Sequence, residues 1–454
     1  MSRNFTWYSI IVIIMILYYF RSQIGMQDMK PPIANKNPHK NIVHGKERID
    51  NYHWIRLSDE QKSAKNAEGW PDTQTMEVVS YINKENEYTR NKLKHTEKLQ
   101  KKLYNEIVGR IKKDDSSVPY YDNGYWYYTK YEKGKEYPIY CRKKETLENK
   151  EEVMIDVNLW AEGHDYFSLR NLSVSPNNKL LAFSVDTLSR RIYTMKVKNL
   201  ETGELLGDEI HGTEGSAAWA NDNSTFFYTV KNKTTLLSEH IARHQLGTMQ
   251  SADQIVFTEN DDSFYIGVYR TKSEKYIIIY NSSTLVSDYH ILSADKPQGK
   301  FKQFSPREKE HEYSIEHYKD KFYIVTNWNA MNFRLMETFE NKTEKQNWKE
   351  VISHRKDVFL NDIDVFSNYL VVSERKDGLP QIRIINQKNN KEHYLDFGEE
   401  VFSAYTSVNL SFDTNILRYQ FSSLITPAST CLLYTSPSPR DQRGSRLAGC
   451  GWKK

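Results

Sequence analysis

Short β-rich runs, each preceded across a tight turn by a second such run, recur along most of this chain. They begin at Tyr125 (YWYYTK), Leu180 (LLAFSV), Thr225 (TFFYTV), Tyr276 (YIIIY), Lys321 (KFYIVT), Tyr369 (YLVVSE) and Asn415 (NILRYQFS), at intervals of 55, 45, 51, 45, 48 and 46 residues. The joining turns, such as Asp122-Asn123-Gly124 and Asn221-Asp222-Asn223-Ser224, supply the residue types that a tight hairpin's backbone angles favour. A repeat of this length with several strands per unit is a propeller signature. One small sheet cannot bury both of its faces; stacking such sheets around a ring buries each against its neighbour. The pattern therefore predicts an all-β domain over residues 117–428, a seven-bladed β-propeller. Parallel α/β architecture is disfavoured because no helix-period segments alternate with the strands. The WD and kelch signatures are absent.

Residues 31–112 read differently. Residues 31–70 read as extended and turn-rich, and Pro31-Pro32, Asn37-Pro38 and Gly69-Trp70-Pro71 exclude helix at those points. From 74 to 112, Val78, Tyr81, Ile82, Leu93, Leu99, Leu103, Ile107 and Ile111 are spaced among charged residues, an amphipathic helix with a solvated face. An extended and then helical segment thus precedes the propeller.

Both ends stand apart. Phe5 to Phe20 is an uncharged run with aromatic residues at its edges and Arg3 and Arg21 outside it, the pattern of a membrane helix with interfacial belts. At 16 residues it falls just below the usual span of ~20. Arg21, Lys30, Lys36 and Lys40 outweigh Arg3, which would put the body on the cytoplasmic side. The other open reading is translation from Met26 or Met29, with 1–25 as upstream read-through. At the far end, Cys431 to Asp441 reads CLLYTSPSPRD, identical to one frame of a common transposon-derived sequencing adapter. Residues 431–454 are expected to be an artefactual or disordered tail.

That tail also carries the charge. Of the formal +4, Arg440, Arg443, Arg446, Lys453 and Lys454 against Asp441 supply all of it, so residues 1–430 sum to zero. No basic excess remains for nucleic acid. Of the three cysteines, Cys431 and Cys450 lie in the tail. Cys141 alone in the body fits a reducing compartment.

Chemical motifs are sparse. The serine-hydrolase elbow G-x-S-x-G is absent, and Gly212-Thr213-Glu214-Gly215-Ser216 reads as a turn entering a strand. His311-Glu312 and Glu316-His317 suggest a metal, but the histidines are six apart rather than the four that HExxH needs, so structural roles are expected. Asp114-Asp115 reads as the turn into the first blade. Asn-x-Ser/Thr at Asn4, Asn171, Asn223, Asn232, Asn281, Asn341 and Asn409 matches chance in an Asn-rich chain. No catalytic, cofactor or metal residue is assigned.

A resemblance adds to these readings. Arg48-Ile49-Asp50-Asn51-Tyr52-x-Trp54-Ile55-Arg56, Glu106-Ile107-Val108-Gly109-Arg110-Ile111-Lys112 and Asp114-Asp115-Ser116-Ser117-Val118-Pro119 are similar to the opening of the prolyl oligopeptidase family of serine peptidases, in its oligopeptidase B branch. Glu162-Gly163-His164-Asp165-Tyr166-Phe167, Trp219-Ala220-Asn221-Asp222 and Pro306-Arg307-x-Lys309-x-His311-Glu312-Tyr313 continue in register, to Thr426-Pro427. The resemblance implies a seven-bladed propeller that covers an α/β-hydrolase domain with a Ser, Asp, His triad, and hydrolysis of short peptides after Lys or Arg in the cytoplasm. It also implies that residues 31–112 pack on that catalytic domain. The triad would lie beyond this chain, so the chain as written is expected to be inert. The alternative is a free-standing, membrane-tethered propeller serving as an interaction module.

Overall fold

The computed structural model describes residues 29–64, 69–70 and 72–434, and the chain divides into two units, 1–112 and 113–454. In the first unit, His39–Val43 and Lys46–Asp50 form an antiparallel hairpin. The helix Thr73–Leu93 starts at Asp72, whose carboxylate accepts from the Thr75 N–H at 2.9 Å and from its hydroxyl at 2.6 Å. The single helix expected over 74–112 is two helices. A 3₁₀ turn, Lys94–Thr96, separates Thr73–Leu93 from Glu97–Arg110. No glycine or proline marks the break. Instead the Thr96 hydroxyl bonds the Leu93 carbonyl, and His95 Nδ1 lies 3.0 Å from that of Lys92.

The second unit is a β-propeller with one short helix, Val157–Ala161. Its sheets are taken here in chain order as A to F. Sheet A holds Asp115–Ser116, Tyr120–Asp122, Tyr125–Tyr131, Ile139–Lys144 and Glu151–Asp156. Sheet B runs from Ser168–Val174 to Gln254–Thr258 in seven strands. Sheets C (Tyr265–Gln303), D (Tyr313–Ile352) and E (Val358–Tyr394) have four strands each, and F (Phe402–Tyr434) has three.

The expectation of seven separate blades is corrected: five sheets are blade-sized, and sheet B is a single sheet of seven strands. The cause lies at Gly212 to Gly215, where the sequence suggested a turn. These residues are the bend of one continuous strand, Leu205–Trp219. Thr213 pairs with Tyr193 on one side and Val230 on the other, so the strand is shared by both halves of the sheet. Gly215 bends it at φ 110°, an angle that favours glycine, and a Cβ there would meet the Tyr193 ring at 3.4 Å.

Packing explains why the repeats are so visible in the sequence. In Tyr276–Ser282, Ile277 and Ile279 join a cluster with Ala218 and Phe227 of sheet B, while Ile278 joins Ile315 and Phe322 of sheet D. Alternate residues point to opposite faces and both faces are covered, so the run is apolar throughout. Each such isoleucine contributes roughly 1.5–3 kcal/mol by burial. Among the described residues, five buried clusters join each sheet to the next from A to F, a sixth lies between the two halves of sheet B, and none joins F back to A.

At the N-terminal end, the apolar run at residues 5–20 lies outside the described residues; among those described, no helix is long and apolar enough to cross a membrane. At the other end, the boundary drawn at residue 430 falls inside the strand Ser429–Tyr434, where Cys431 pairs with Tyr419 and Leu433 with Leu417. Residues 435–454 lie outside the described residues.

Candidate functional site

The two ends of the ring differ in chemistry. In sheets B to F the first two strands are joined at one end and the second and third at the other, because neighbouring strands are antiparallel; in sheet A the corresponding turns follow Tyr120–Asp122 and Tyr125–Tyr131. At the first end the turns are polar and bond to one another. Asn123 donates to the Pro176 carbonyl at 2.8 Å, and Asn178 to that of Asn123 at 2.9 Å. The Asn177 N–H reaches Asn223 at 2.7 Å, and Arg270 reaches Asn221 at 2.6 Å. Ser273 bonds His317 at 2.7 Å, Tyr318 the Ser367 carbonyl at 3.1 Å, and the Ser367 N–H the Phe412 carbonyl at 3.0 Å. Each sheet from A to F is tied to the next at this end.

At the opposite end the tips of sheets B, D and F carry exposed apolar side chains, while those of sheets A (Glu132 to Glu136) and E (Asp377-Gly378) are polar. Leu188, Met331, Leu424 and Ile425 lie in the loops between second and third strands and are 74%, 88%, 93% and 84% exposed. In the first unit, the helix Glu97–Arg110 buries none of its residues, and Leu99, Leu103 and Ile107 stand in one row, four residues apart, on its surface. Large exposed apolar side chains grouped on one surface mark a place where another surface belongs.

Near the axis, at the polar end, charged groups converge from several sheets. Lys272 of sheet C donates to Asp364 of sheet E at 2.7 Å. Burial, then the charges of Asp362 and Asp364, push the Glu316 carboxyl up to about 8, although water keeps partial access to it. Burial is also the main reason Asp362 and Asp364 sit above the usual carboxylate range.

The histidines singled out in the sequence do not converge. His311 Nε2 lies 3.0 Å from the Thr326 hydroxyl, and its ring stacks on Tyr313 at 5.1 Å. His317 contacts Ser273 and, at 3.4 Å, Glu340. Burial lowers the pKa of both. Among the described residues no group of three or more His, Cys, Asp or Glu could hold a metal ion. Asp115 lies in a two-residue strand against Lys130 and Tyr131. Burial pushes the Cys141 thiol up to about 12, which leaves it protonated and unreactive. Sequence reasoning missed the Lys272, Glu316, Asp362 and Asp364 group, because its members come from three sheets.

Comparison with known proteins matches this architecture. Residues 31–435 match the family model for the prolyl oligopeptidase N-terminal β-propeller domain. The chain is 37% identical over 429 residues to dipeptidyl aminopeptidase BI of Pseudoxanthomonas mexicana, covering 91% of this chain and 57% of that protein. It is 28% identical to protease 2 of Moraxella lacunata, covering 88% and 56%. Among solved structures, oligopeptidase B of Leishmania major superposes with a TM-score of 0.81 at 28% identity, over 93% of this chain and 61% of that one. Oligopeptidase B of Trypanosoma brucei, in its closed form with covalently bound antipain, gives 0.80 at 27% identity. The chain thus spans little more than half the length of these relatives, and it belongs to the prolyl oligopeptidase family through that family's N-terminal β-propeller domain.

Proposed function

We propose that this chain is the propeller portion of a serine peptidase whose intact form hydrolyses short peptides after Lys or Arg, the propeller limiting which peptides reach the catalytic centre. The observation that carries this reading is the asymmetry of the two ends. The polar end is occupied with its own turn-to-turn bonds, whereas at the other end the tips of sheets B, D and F offer Leu188, Met331, Leu424 and Ile425, an apolar part of that rim. The occupant we assign to that rim, and to the Leu99, Leu103 and Ile107 row, is the catalytic portion of the same protein. The relatives' lengths, of which this chain spans 57% and 56%, leave room for such a portion. In the intact enzyme a serine would attack the peptide carbonyl, a histidine would take its proton, and backbone N–H groups would hold the oxyanion. This chain supplies the enclosure and no nucleophile. A cytoplasmic setting rests on the charge asymmetry about residues 5–20 and on the single body cysteine.

The preference for Lys or Arg draws on the likeness to the oligopeptidase B structures. A second reading has its own support: the relative at 37% identity is named a dipeptidyl aminopeptidase. The test is to assay the full-length gene product on amino-blocked Arg or Lys chromogenic peptides and on their free-amino dipeptidyl counterparts. Cleavage of blocked substrates supports the first reading, and cleavage confined to free-amino dipeptides the second. The 454-residue chain is expected to turn over neither. A folded, monodisperse propeller whose native transcript ends close to codon 430 would instead favour the membrane-tethered interaction module.

A further inference from the structure

One contact at the axis joins sheets that are not neighbours. Lys272 lies in the first turn of sheet C; Asp364, to which its Nζ donates at 2.7 Å, lies near the end of the first strand of sheet E. The same ammonium sits 3.5 Å from the centroid of the Phe366 ring, also beside that strand. Sheet D stands between C and E in the ring. Second neighbours meet only where the innermost strands converge, so the Lys272 side chain crosses the axial end of sheet D. The next residues of its turn do not cross: Ser273 bonds His317 and Lys275 bonds Glu340 at 2.6 Å, both on sheet D.

The same turn also acts electrostatically on a further sheet. Asp122, at the end of the strand Tyr120–Asp122 of sheet A, is pushed above the usual carboxylate range first by burial and then by the charge of Glu274, with Arg270 acting against it. Sheet A is separated from C by the whole of sheet B. Behind the crossing, further from the turns, lie two carboxylates. Asp362 is two residues from Asp364 and therefore on the same face of its strand; it accepts from the Ile363 N–H at 2.8 Å. Glu316 is in the middle of the first strand of sheet D. Among the described residues its carboxylate makes no hydrogen bond or ion pair.

We propose that Lys272 is a strap across the axial opening at the polar end, and that its pairing with Asp364 controls the entry of solutes to Glu316 and Asp362 behind it. The strap needs both of its anchors. The carboxylate fixes the ammonium, and the Phe366 face holds it against the far side of the opening. Lysine suits the task because its long stem spans an intervening sheet while its head remains a point charge.

The test uses the whole 454-residue chain with Cys450→Ser, so that the remaining thiols, Cys141 and Cys431, are the buried ones. Glu316→Cys then serves as a reporter, and its modification is timed with iodoacetamide and with a bulky, uncharged maleimide. With Lys272 in place the bulky reagent is slow relative to the small one. Adding Lys272→Ala is expected to speed the bulky reagent about tenfold, the factor that corresponds to ~1.4 kcal/mol of lost closure. The small reagent changes much less. Asp364→Asn, which leaves the strap without its anchor, is expected to act in the same direction. Should Lys272→Ala fail to fold, Lys272→Met keeps the stem and the Phe366 contact, and it should still speed the bulky reagent. An unchanged bulky-reagent rate in the folded variants overturns the proposal; that result is also the one expected if solutes reach Glu316 from the opposite end.

Discussion

Arg418 donates from Nη2 to the carbonyl oxygen of Val118 at 2.9 Å, joining residues 300 positions apart. Sheet F meets sheet A through this bond, with the guanidinium 6.0 Å from the centroid of the Tyr120 ring. Among the described residues no shared apolar cluster spans that junction, so Arg418 is a polar tie across a seam of the kind that elsewhere in the ring is held by isoleucine and phenylalanine. Arg418→Met should cost about 1–3 kcal/mol, because it leaves the Val118 carbonyl without its charged donor. Urea unfolding checks this. A variant as stable as the parent would mean that the seam is held by something other than Arg418.

His244 lies between two buried aspartates, with Nδ1 2.7 Å from Asp253 and Nε2 3.0 Å from Asp208. Both ring nitrogens face carboxylate oxygens, so both donate and the ring is an imidazolium. Burial alone would lower its pKa, but the hydrogen bonds from Asp253 and Asp208 outweigh burial and leave it raised. A raised folded value means that its contribution is fully present below the ordinary histidine pKa of about 6.5 and is lost as pH rises through the folded value. His244→Gln should destabilise the protein by about 3–5 kcal/mol at low pH, since it strands two buried carboxylates. The gap between parent and variant should shrink as the pH is raised from 6 to 9 in paired denaturation curves. A pH-independent gap would refute the charged state assigned to the ring.

Glu316 titrates in the same direction, but its ionisation is a cost rather than a contribution. Its carboxyl is raised to about 8, above the unfolded value, so folding keeps a proton that the unfolded chain releases. Native stability is undiminished below the unfolded carboxyl pKa, and the loss accumulates as pH rises from there to about 8. Glu316→Gln removes that loss. Allowing for the water that reaches the group, the variant should be more stable than the parent by on the order of 1–2 kcal/mol near pH 8 and indistinguishable near pH 4. Thermal unfolding at the two pH values decides it, and a destabilised variant at pH 8 would show that the carboxylate is needed in its ionised form.

The strand pairs were legible because burial on both faces makes them continuous apolar runs. YIIIY and TFFYTV became the strands Tyr276–Ser282 and Thr225–Lys231 at their expected starts. The shared strand of sheet B was not legible, because Gly212 and Gly215 look like turn residues whether the chain reverses there or only bends. The helix break at Leu93 was hidden for a related reason: it rests on side-chain bonds from His95 and Thr96, not on glycine or proline. At the axis, Lys272 and Asp364 are 92 residues apart, and each read alone is an ordinary charged residue at a strand end. Only the closing of the ring brings them together.

Cys431 and Leu433 constrain the chain beyond residue 430. Cys431 is buried in the cluster with Phe397, Leu417, Tyr419 and Phe421, and Leu433 packs against the same cluster. The period of two along Ser429–Tyr434 puts both on the inner face of sheet F. The adapter-identical string that begins at Cys431 therefore satisfies an apolar requirement at both positions. If that string is foreign, the native transcript across codon 430 should differ from it and still encode apolar residues at 431 and 433. Within the present chain, Leu433→Asp should destabilise sheet F by about 2–4 kcal/mol, while Leu432→Asp, on the face away from that cluster, should cost less. Equal effects of the two substitutions would mean that Ser429–Tyr434 does not close the last sheet.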